Sequence, residues 1–302
     1  MKLGLLTAAF PDLSLDEVAA WAAEKGFEAI EVACWPASGG EMRRYSGVCH
    51  IDVDRFDPDA VKETLTSHGL EISALAYYPN NLHPDNVHRE QVNAHLRKVI
   101  DAAQRLDVNV VGTFIGNDKD RPLPENLDRF RKIWPPLVHY AGDRGVRIAI
   151  ENCPMIFSWD EWPGGNNLAW SPAIWDEMFS AIPDENFGLN LDPSHLVWLM
   201  IDIERAIYDF AERIFHAHAK DLEIRRDGLY RHGVFSAGMG WQVPRLPGLG
   251  EIDWPRFFAA LYGAGYDGVV SVEHEDRRFE GSMDLVKRGF LLARDTLRPY
   301  IR

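Results

Sequence analysis

Eight short, β-branched apolar runs, each followed by a longer amphipathic stretch, constrain this chain more than any other feature of its sequence. That alternation implies parallel strands joined by crossover helices. The expected strands are Lys2 to Leu6, Ala29 to Val32, Glu71 to Ala76, Val108 to Thr113, Val146 to Ile150, Phe187 to Leu191, Ile214 to Ala217 and Gly268 to Val272. Each is apolar enough to be covered on both faces, as strands of parallel sheets are. With 302 residues, 46% of them apolar, the chain can bury a large core, and no linker-like segment interrupts the pattern. The expectation is therefore an α/β fold, a (β/α)8 TIM barrel forming a single domain over residues 1–302, with an open doubly wound sheet as the alternative.

Helix boundaries are readable. Ser14 and Glu17 have capping-box spacing, while Asp57-Pro58 and Ser171-Pro172 each offer an N-cap followed by proline at the first helical position. Gly26, Gly69, Gly145 and Gly265 follow helical patterns and precede strands, as left-handed C-caps do. The segments after strands are uneven. Cys34 to Phe56, Asn152 to Trp170 and Asp221 to Gly250 are long, and long loops leaving strand C-termini are where a barrel builds its active site.

Charge and cysteine content narrow the function. With 32 basic and 46 acidic residues the net charge is −14, so a nucleic-acid backbone would meet repulsion. Cys34, Cys49 and Cys153 are too few and scattered for a disulfide framework and form no CxxC pair, which fits a reducing cytoplasm. The apolar stretch Leu3 to Phe10 is broken by Pro11 before it reaches the length of a leader or a membrane span. The expected location is the cytoplasm, with no membrane or nucleic-acid partner.

The candidate chemistry stands at strand ends. Ile150 runs into Glu151, Leu191 into Asp192, Ala217 into His218 and Val272 into Glu273. Neighbouring strands lie about 4.8 Å apart, so side chains at successive strand ends converge inside a barrel mouth. Three carboxylates repel one another unless a cation lies between them. A mostly oxygen shell with one imidazole suits one divalent ion, Mn²⁺ first, with Mg²⁺ and Co²⁺ close and Zn²⁺ less favoured. His216 points the same way as His218 and is a rival ligand or a supporting partner.

These strand ends carry a family resemblance. The stretches Ile150-Glu151-Asn152, Asp192-Pro193-Ser194-His195, His218-Ala219-Lys220-Asp221, Arg245-Leu246-Pro247-Gly248-Leu249-Gly250 and Ser271-Val272-Glu273-His274-Glu275-Asp276 resemble the sugar phosphate isomerase/epimerase family of xylose-isomerase-like barrels. The likeness runs over essentially the whole chain. It implies that Glu151, Asp192, His218 and Glu273 bind the metal. It also implies that Glu151 and Glu273 carry protons on opposite faces of the substrate, and that His195 and Arg245 touch substrate.

Proton removal next to a sugar carbonyl is slow because the carbanion is unstable, and a metal on the carbonyl and hydroxyl oxygens stabilises the enediolate. The expected function is therefore a divalent-metal-dependent isomerase or epimerase acting on a sugar or keto-sugar, with a small carbohydrate as partner. Among relatives, ketose 3-epimerases carry a further carboxylate shortly after the first ligand, where Met155-Ile156-Phe157-Ser158 offers none. That departure favours a larger substrate and keeps an alternative open: a lyase that cleaves an oxidised, 3-keto glycoside such as a C-glycoside by elimination. An endonuclease IV-like repair enzyme would need more ligands, and a non-catalytic sugar-binding protein would have lost one. Trp35, Tyr77, Tyr78, Phe114, Trp159 and Trp241 crowd the expected mouth, and of these Trp35 and Trp241 are taken as substrate contacts. His83 joins them from the third loop, although turn chemistry alone would explain its segment. The stretch Gly164 to Trp170 is a candidate lid or subunit contact, and a homo-oligomer is expected by resemblance.

Overall fold

The computed structural model describes residues 1–37, 46–156, 165–234 and 240–301. Among the described residues there are ten strands: β1 (Lys2–Leu6), β2 (Ala29–Ala33), β3 (Glu71–Ala76), β4 (Val110–Thr113), β5 (Arg147–Glu151), β6 (Phe187–Leu191), β7 (Ile214–Ala219), β8 (Asp221–Ile224), β9 (Gln242–Arg245) and β10 (Val269–Val272). Eight of them close a barrel in the order β1-β10-β7-β6-β5-β4-β3-β2, every neighbouring pair being parallel, while β8 and β9 form a separate antiparallel ribbon. The barrel expected from the strand-helix alternation is thus observed, and the open sheet is excluded by the pairing of β1 with β10.

The helices are α1 (Leu15–Glu24), α2 (Pro58–Ser67), α3 (Asn86–Arg105), α4 (Leu123–Gly142), α5 (Pro172–Ala181), α6 (Pro193–Trp198), α7 (Ile203–Asp209), α8 (Arg226–His232), α9 (Trp254–Gly263) and α10 (Met283–Leu297). Their caps follow the sequence signals with one exception. Ser14 and Glu17 form a reciprocal capping box, and Asp57 caps α2 through the amide of Asp59. The Ser171 side chain makes no capping bond, so there Pro172 alone, with its fixed φ, starts the helix.

The four glycine stops share one device. At Gly145, φ is +69°, and the following Val146 N–H returns to Ala141 O at 3.0 Å, which satisfies an orphan carbonyl of α4. Asp107 performs the same task after α3 with φ of +58°, and Val108 N–H donates to Ala103 O at 2.9 Å. That bond is why the fourth strand begins at Val110 rather than at Val108. No helix among the described residues is long and apolar enough to cross a membrane.

Register decides which side chains enter the barrel. Gly4 pairs with Ser271 and with Ala29, Ser271 with His218, Gly112 with Ala149, and Glu151 with Asn190. The apolar residues of these strands, such as Ile30, Val32, Leu75, Val111, Ile148 and Leu189, belong to one continuous core. The inward positions are small or polar instead. A bulge at Leu189/Asn190 brings His216 opposite Asn190, and at the opposite end from the mouth a cavity of about 490 Å³ is lined by Ser73, Val110, Arg147, Phe215 and His216 among others.

Candidate metal centre

Glu151 is the last residue of β5, Asp192 follows β6, His218 lies near the end of β7 and Glu273 follows β10. One ligand atom from each lies within 4.8 Å of all the others, so the four strand ends do converge. The backbone of Asp192 is held by Asn152, which accepts from Asp192 N–H at 2.7 Å and donates to Asp192 O at 2.9 Å. Asp192 also caps α6: one carboxylate oxygen, Oδ1, accepts from Ser194 N–H at 2.8 Å, leaving Oδ2 for the site. Asn167 donates to Glu151 O at 3.0 Å and Cys153 O at 2.6 Å, tying its segment to the end of β5. Residues 165–170, most of them buried, are thereby held against the end of β5.

Behind these ligands lies a polar layer of which the sequence had pointed to His216 and Tyr78 but not to Glu31, Asn190 or Ser73. His218 Nε2 stands 2.8 Å from Glu31 Oε2, and Tyr78 OH donates to Glu31 Oε1 at 2.6 Å. Asn190 donates to Tyr78 OH at 2.9 Å, and its carbonyl oxygen lies 3.1 Å from His216 Nδ1. His216 Nε2 contacts Ser73 Oγ at 3.1 Å, so both of its ring nitrogens are engaged and it supports the site rather than competing for an ion. Burial pushes the His216 imidazole down to about 4, which keeps it neutral. Burial would raise the Glu31 carboxyl, yet the facing His218 imidazole and the hydrogen bonds from His218 and Tyr78 hold it low. Gly112 makes room for this layer, since a Cβ there would stand 2.3 Å from Tyr78 OH.

With Nε2 turned to Glu31, His218 presents Nδ1 to Glu273 Oε2 at 3.2 Å and Glu151 Oε1 at 3.8 Å. A bare nitrogen lone pair facing two carboxylates is repulsive, so this position calls for a proton or a cation. Buried Asp192 Oδ2 is met by Lys220 at 2.9 Å and His195 at 3.1 Å, while His218 Nδ1 is buried with no hydrogen-bond partner. Buried polar atoms are seldom left so, and a donor set of three carboxylates and one imidazole fits a divalent ion. A second grouping, Glu31, His216 and His218, is also close enough for an ion, but its hydrogen-bonding capacity is already used.

Lys220 is the largest addition the structure makes to the site. Its fully buried ammonium lies 2.6 Å from Glu273 Oε2, 2.9 Å from Asp192 Oδ2, 3.2 Å from Glu275 Oε2 and 3.9 Å from Glu151 Oε1. Burial would lower its pKa, but these carboxylates raise it well above the ordinary lysine value. His195, one turn after Asp192, sits 3.1 Å from Asp192 Oδ2 and 3.3 Å from Glu151 Oε1. Burial would raise the Glu151 carboxyl too, but hydrogen bonds from His195 and His218 with the Lys220 charge hold it low, whereas burial leaves that of Glu273 raised.

The remaining sequence candidates have partners of their own. Trp35 packs edge-on to Tyr77 at 6.0 Å and leans on Tyr78 at 6.2 Å. Trp241 is buried in a small apolar cluster with Ile156, Trp198 and Leu222. The buried Arg245, on β9, binds Asp276 Oδ1 at 2.9 Å and Glu223 Oε2 at 2.6 Å, so its charge is matched within the protein. His83 meets His88 edge-on at 4.4 Å and accepts from Asp85 N–H at 3.2 Å, the turn chemistry its segment suggested. Phe114 touches Tyr78 at 5.1 Å, and Trp159 lies outside the described residues.

Comparison with known proteins adds an independent line. A family model described as a xylose isomerase-like TIM barrel matches residues 19–296. YfiH, an uncharacterized protein of Bacillus subtilis (strain 168), is 27% identical over 316 aligned residues, covering 91% of this chain and 93% of its own. Among solved structures, the IOLI protein with a bound zinc atom superposes with a TM-score of 0.73 at 19% identity, covering 99% of both chains. D-psicose 3-epimerase from Clostridium cellulolyticum H10, in complex with D-tagatose, superposes with a TM-score of 0.70 at 17% identity over 100% of both chains.

Proposed function

Because the chain belongs to the xylose isomerase-like TIM-barrel family and gathers Glu151, Asp192, His218 and Glu273 at one point, we propose that it is a divalent-metal-dependent isomerase or epimerase of a sugar or keto-sugar. The observation that carries this reading is the convergence of three carboxylates and one imidazole, with one ligand atom from each within 4.8 Å of all the others. A bound divalent ion, Mn²⁺ by its preference for a mostly oxygen shell, would supply Lewis acidity to the carbonyl and adjacent hydroxyl oxygens of the sugar.

The chain's own residues then handle the proton. Glu151, held ionised, is the base that takes the proton next to the carbonyl. Glu273, whose carboxyl is harder to ionise, is the acid that returns one to the other face. His195 and Lys220 fix the orientation of these carboxylates, and Glu31 with Tyr78 and Asn190 fixes the His218 ring. Trp35 at the mouth offers an apolar face to the sugar, and Arg245, His83 and Trp241 are assigned to the outer substrate contacts on the sequence argument alone.

A second reading, elimination from an oxidised glycoside, is favoured by Lys220, a cation that a simple proton exchange between two carboxylates does not require. Both readings are tested together. The manganese-loaded protein is incubated in deuterated water with free ketoses, inositol-type ketones and 3-keto-glycosides. Deuterium uptake without fragmentation supports isomerisation, and aglycone release supports elimination. Glu151→Gln and Glu273→Gln should each lose about 10²–10⁴-fold in turnover while still binding metal. Undiminished turnover in either variant removes the acid/base assignment.

A further inference from the structure

Cys34 and Cys49, which look scattered in the sequence, face each other across an isolated antiparallel bridge beside the barrel mouth. Cys34 continues the line of β2, and its N–H donates to Ala76 O at 2.9 Å on the β3 side. On the other side, Trp35 N–H donates to Val48 O at 3.2 Å and His50 N–H donates to Ala33 O at 2.9 Å. These two bonds flank the cysteine pair and do not join it. Such a non-hydrogen-bonded pair holds its Cα atoms about 4.5 Å apart with both side chains on one face. A disulfide requires Cα atoms roughly 4.4–6.8 Å apart, so a pair of this type stands within its reach. Both thiols are free, Cys34 buried and Cys49 half-buried.

We propose that Cys34 and Cys49 form a reversible disulfide by exchange with a small disulfide of the glutathione type. The half-buried Cys49 sulfur attacks one sulfur of oxidised glutathione, forming a mixed disulfide and expelling the first glutathione thiolate. The Cys34 sulfur then attacks the Cys49 sulfur, closing the protein disulfide and expelling the second glutathione. Two electrons pass from the protein to the small disulfide, and the two thiol protons leave with the released glutathione. Burial pushes the Cys49 thiol up to about 11 and that of Cys34 well above its ordinary value, so closure is slow at neutral pH and quickens as pH rises.

The bond would matter to the site because Trp35 follows Cys34 directly. Its ring leans on Tyr78, whose hydroxyl holds Glu31, which in turn holds His218. A cross-link therefore fixes the backbone beneath one wall of the mouth.

The test is incubation of the full chain with excess oxidised glutathione at mildly alkaline pH, followed by intact mass and tryptic mapping without reductant. Trypsin cuts after Arg43 and Arg44, between the two cysteines, so a cross-link joins separate peptides. The expected result is loss of two hydrogens' mass, a Cys34–Cys49 peptide pair, a Cys153 that still alkylates, and a Tm raised by roughly 5 °C for a loop of about 15 residues. Cys153→Ser should close in the same way, and Cys49→Ser should not. Three free thiols after long incubation, a glutathione retained on Cys49, or a link through Cys153 would each overturn the proposal.

Discussion

Lys220 carries one positive charge into a pocket of four carboxylates, and its removal should cost more than that of any exposed ion pair. Without the ammonium, Glu151, Asp192 and Glu273 repel one another in a buried space. We expect Lys220→Met to destabilise the metal-free protein by about 3–5 kcal/mol, with much of the loss recovered at saturating Mn²⁺, as read from denaturant unfolding with and without the ion. In the sequence this lysine lies within a quoted family stretch but drew no role, because a lysine just past a strand usually reaches solvent. The signal was present all the same. His216, His218 and Lys220 alternate with Ala217 and Ala219, and period two sends all three inward. Asn190 and Glu31 were less legible, since a single polar residue inside a strand becomes meaningful only once the barrel shows what it faces.

His95 gives a pH prediction at the same scale. Its Nε2 lies 2.8 Å from Cys34 O, and burial lowers its pKa below the ordinary histidine value. Above about pH 6.5 the ring is neutral in both folded and unfolded chains and contributes no pH dependence. As pH falls below that value the unfolded chain takes up a proton that the folded chain refuses, so stability is lost until the lowered folded pKa is passed. His95→Gln should therefore lose less Tm than the native chain between pH 8 and pH 5. An equal or steeper loss would show that His95 does not contribute to acid sensitivity.

Among the elements, the helix ends were the most readable, because glycine stops and the Ser14 capping box are local in the chain. The ribbon of β8 and β9 was not. Each strand has only four residues, the two are mixed in charge and one contains Pro244, so no alternation stands out and the region from Asp221 to Gly250 reads as a loop. Its organiser is Asp221, whose carboxylate accepts from Leu222, Gly248 and Ile252 N–H groups and from Trp254 Nε1 at 2.9–3.1 Å. One side chain thereby fixes the start of β8, the turn after β9 and the start of α9. Asp221→Asn turns an amide N–H toward these donors and should cost about 1–3 kcal/mol in thermal or denaturant unfolding. Because Arg245 lies on β9, the same variant should also disturb its pairing with Asp276.

At the scale of the whole molecule, the eightfold alternation made the closed barrel legible from the sequence, while the ribbon and the parts of Glu31 and Asn190 in the inner polar layer emerged only from closure. An ion that binds the folded chain alone adds stability by mass action. If the proposed centre takes Mn²⁺, a free concentration 100-fold above the dissociation constant should add about 2.7 kcal/mol, and a chelator should remove it. A Tm that ignores both would argue against the centre. Glu151, Asp192, His218 and Glu273 lie far apart in the chain, and the last of them follows β10, the strand that seals against β1. No fragment shorter than nearly the full chain can assemble all four, so ion capture would report completed ring formation, and nascent or truncated chains would be blind to the metal until that final seam is made.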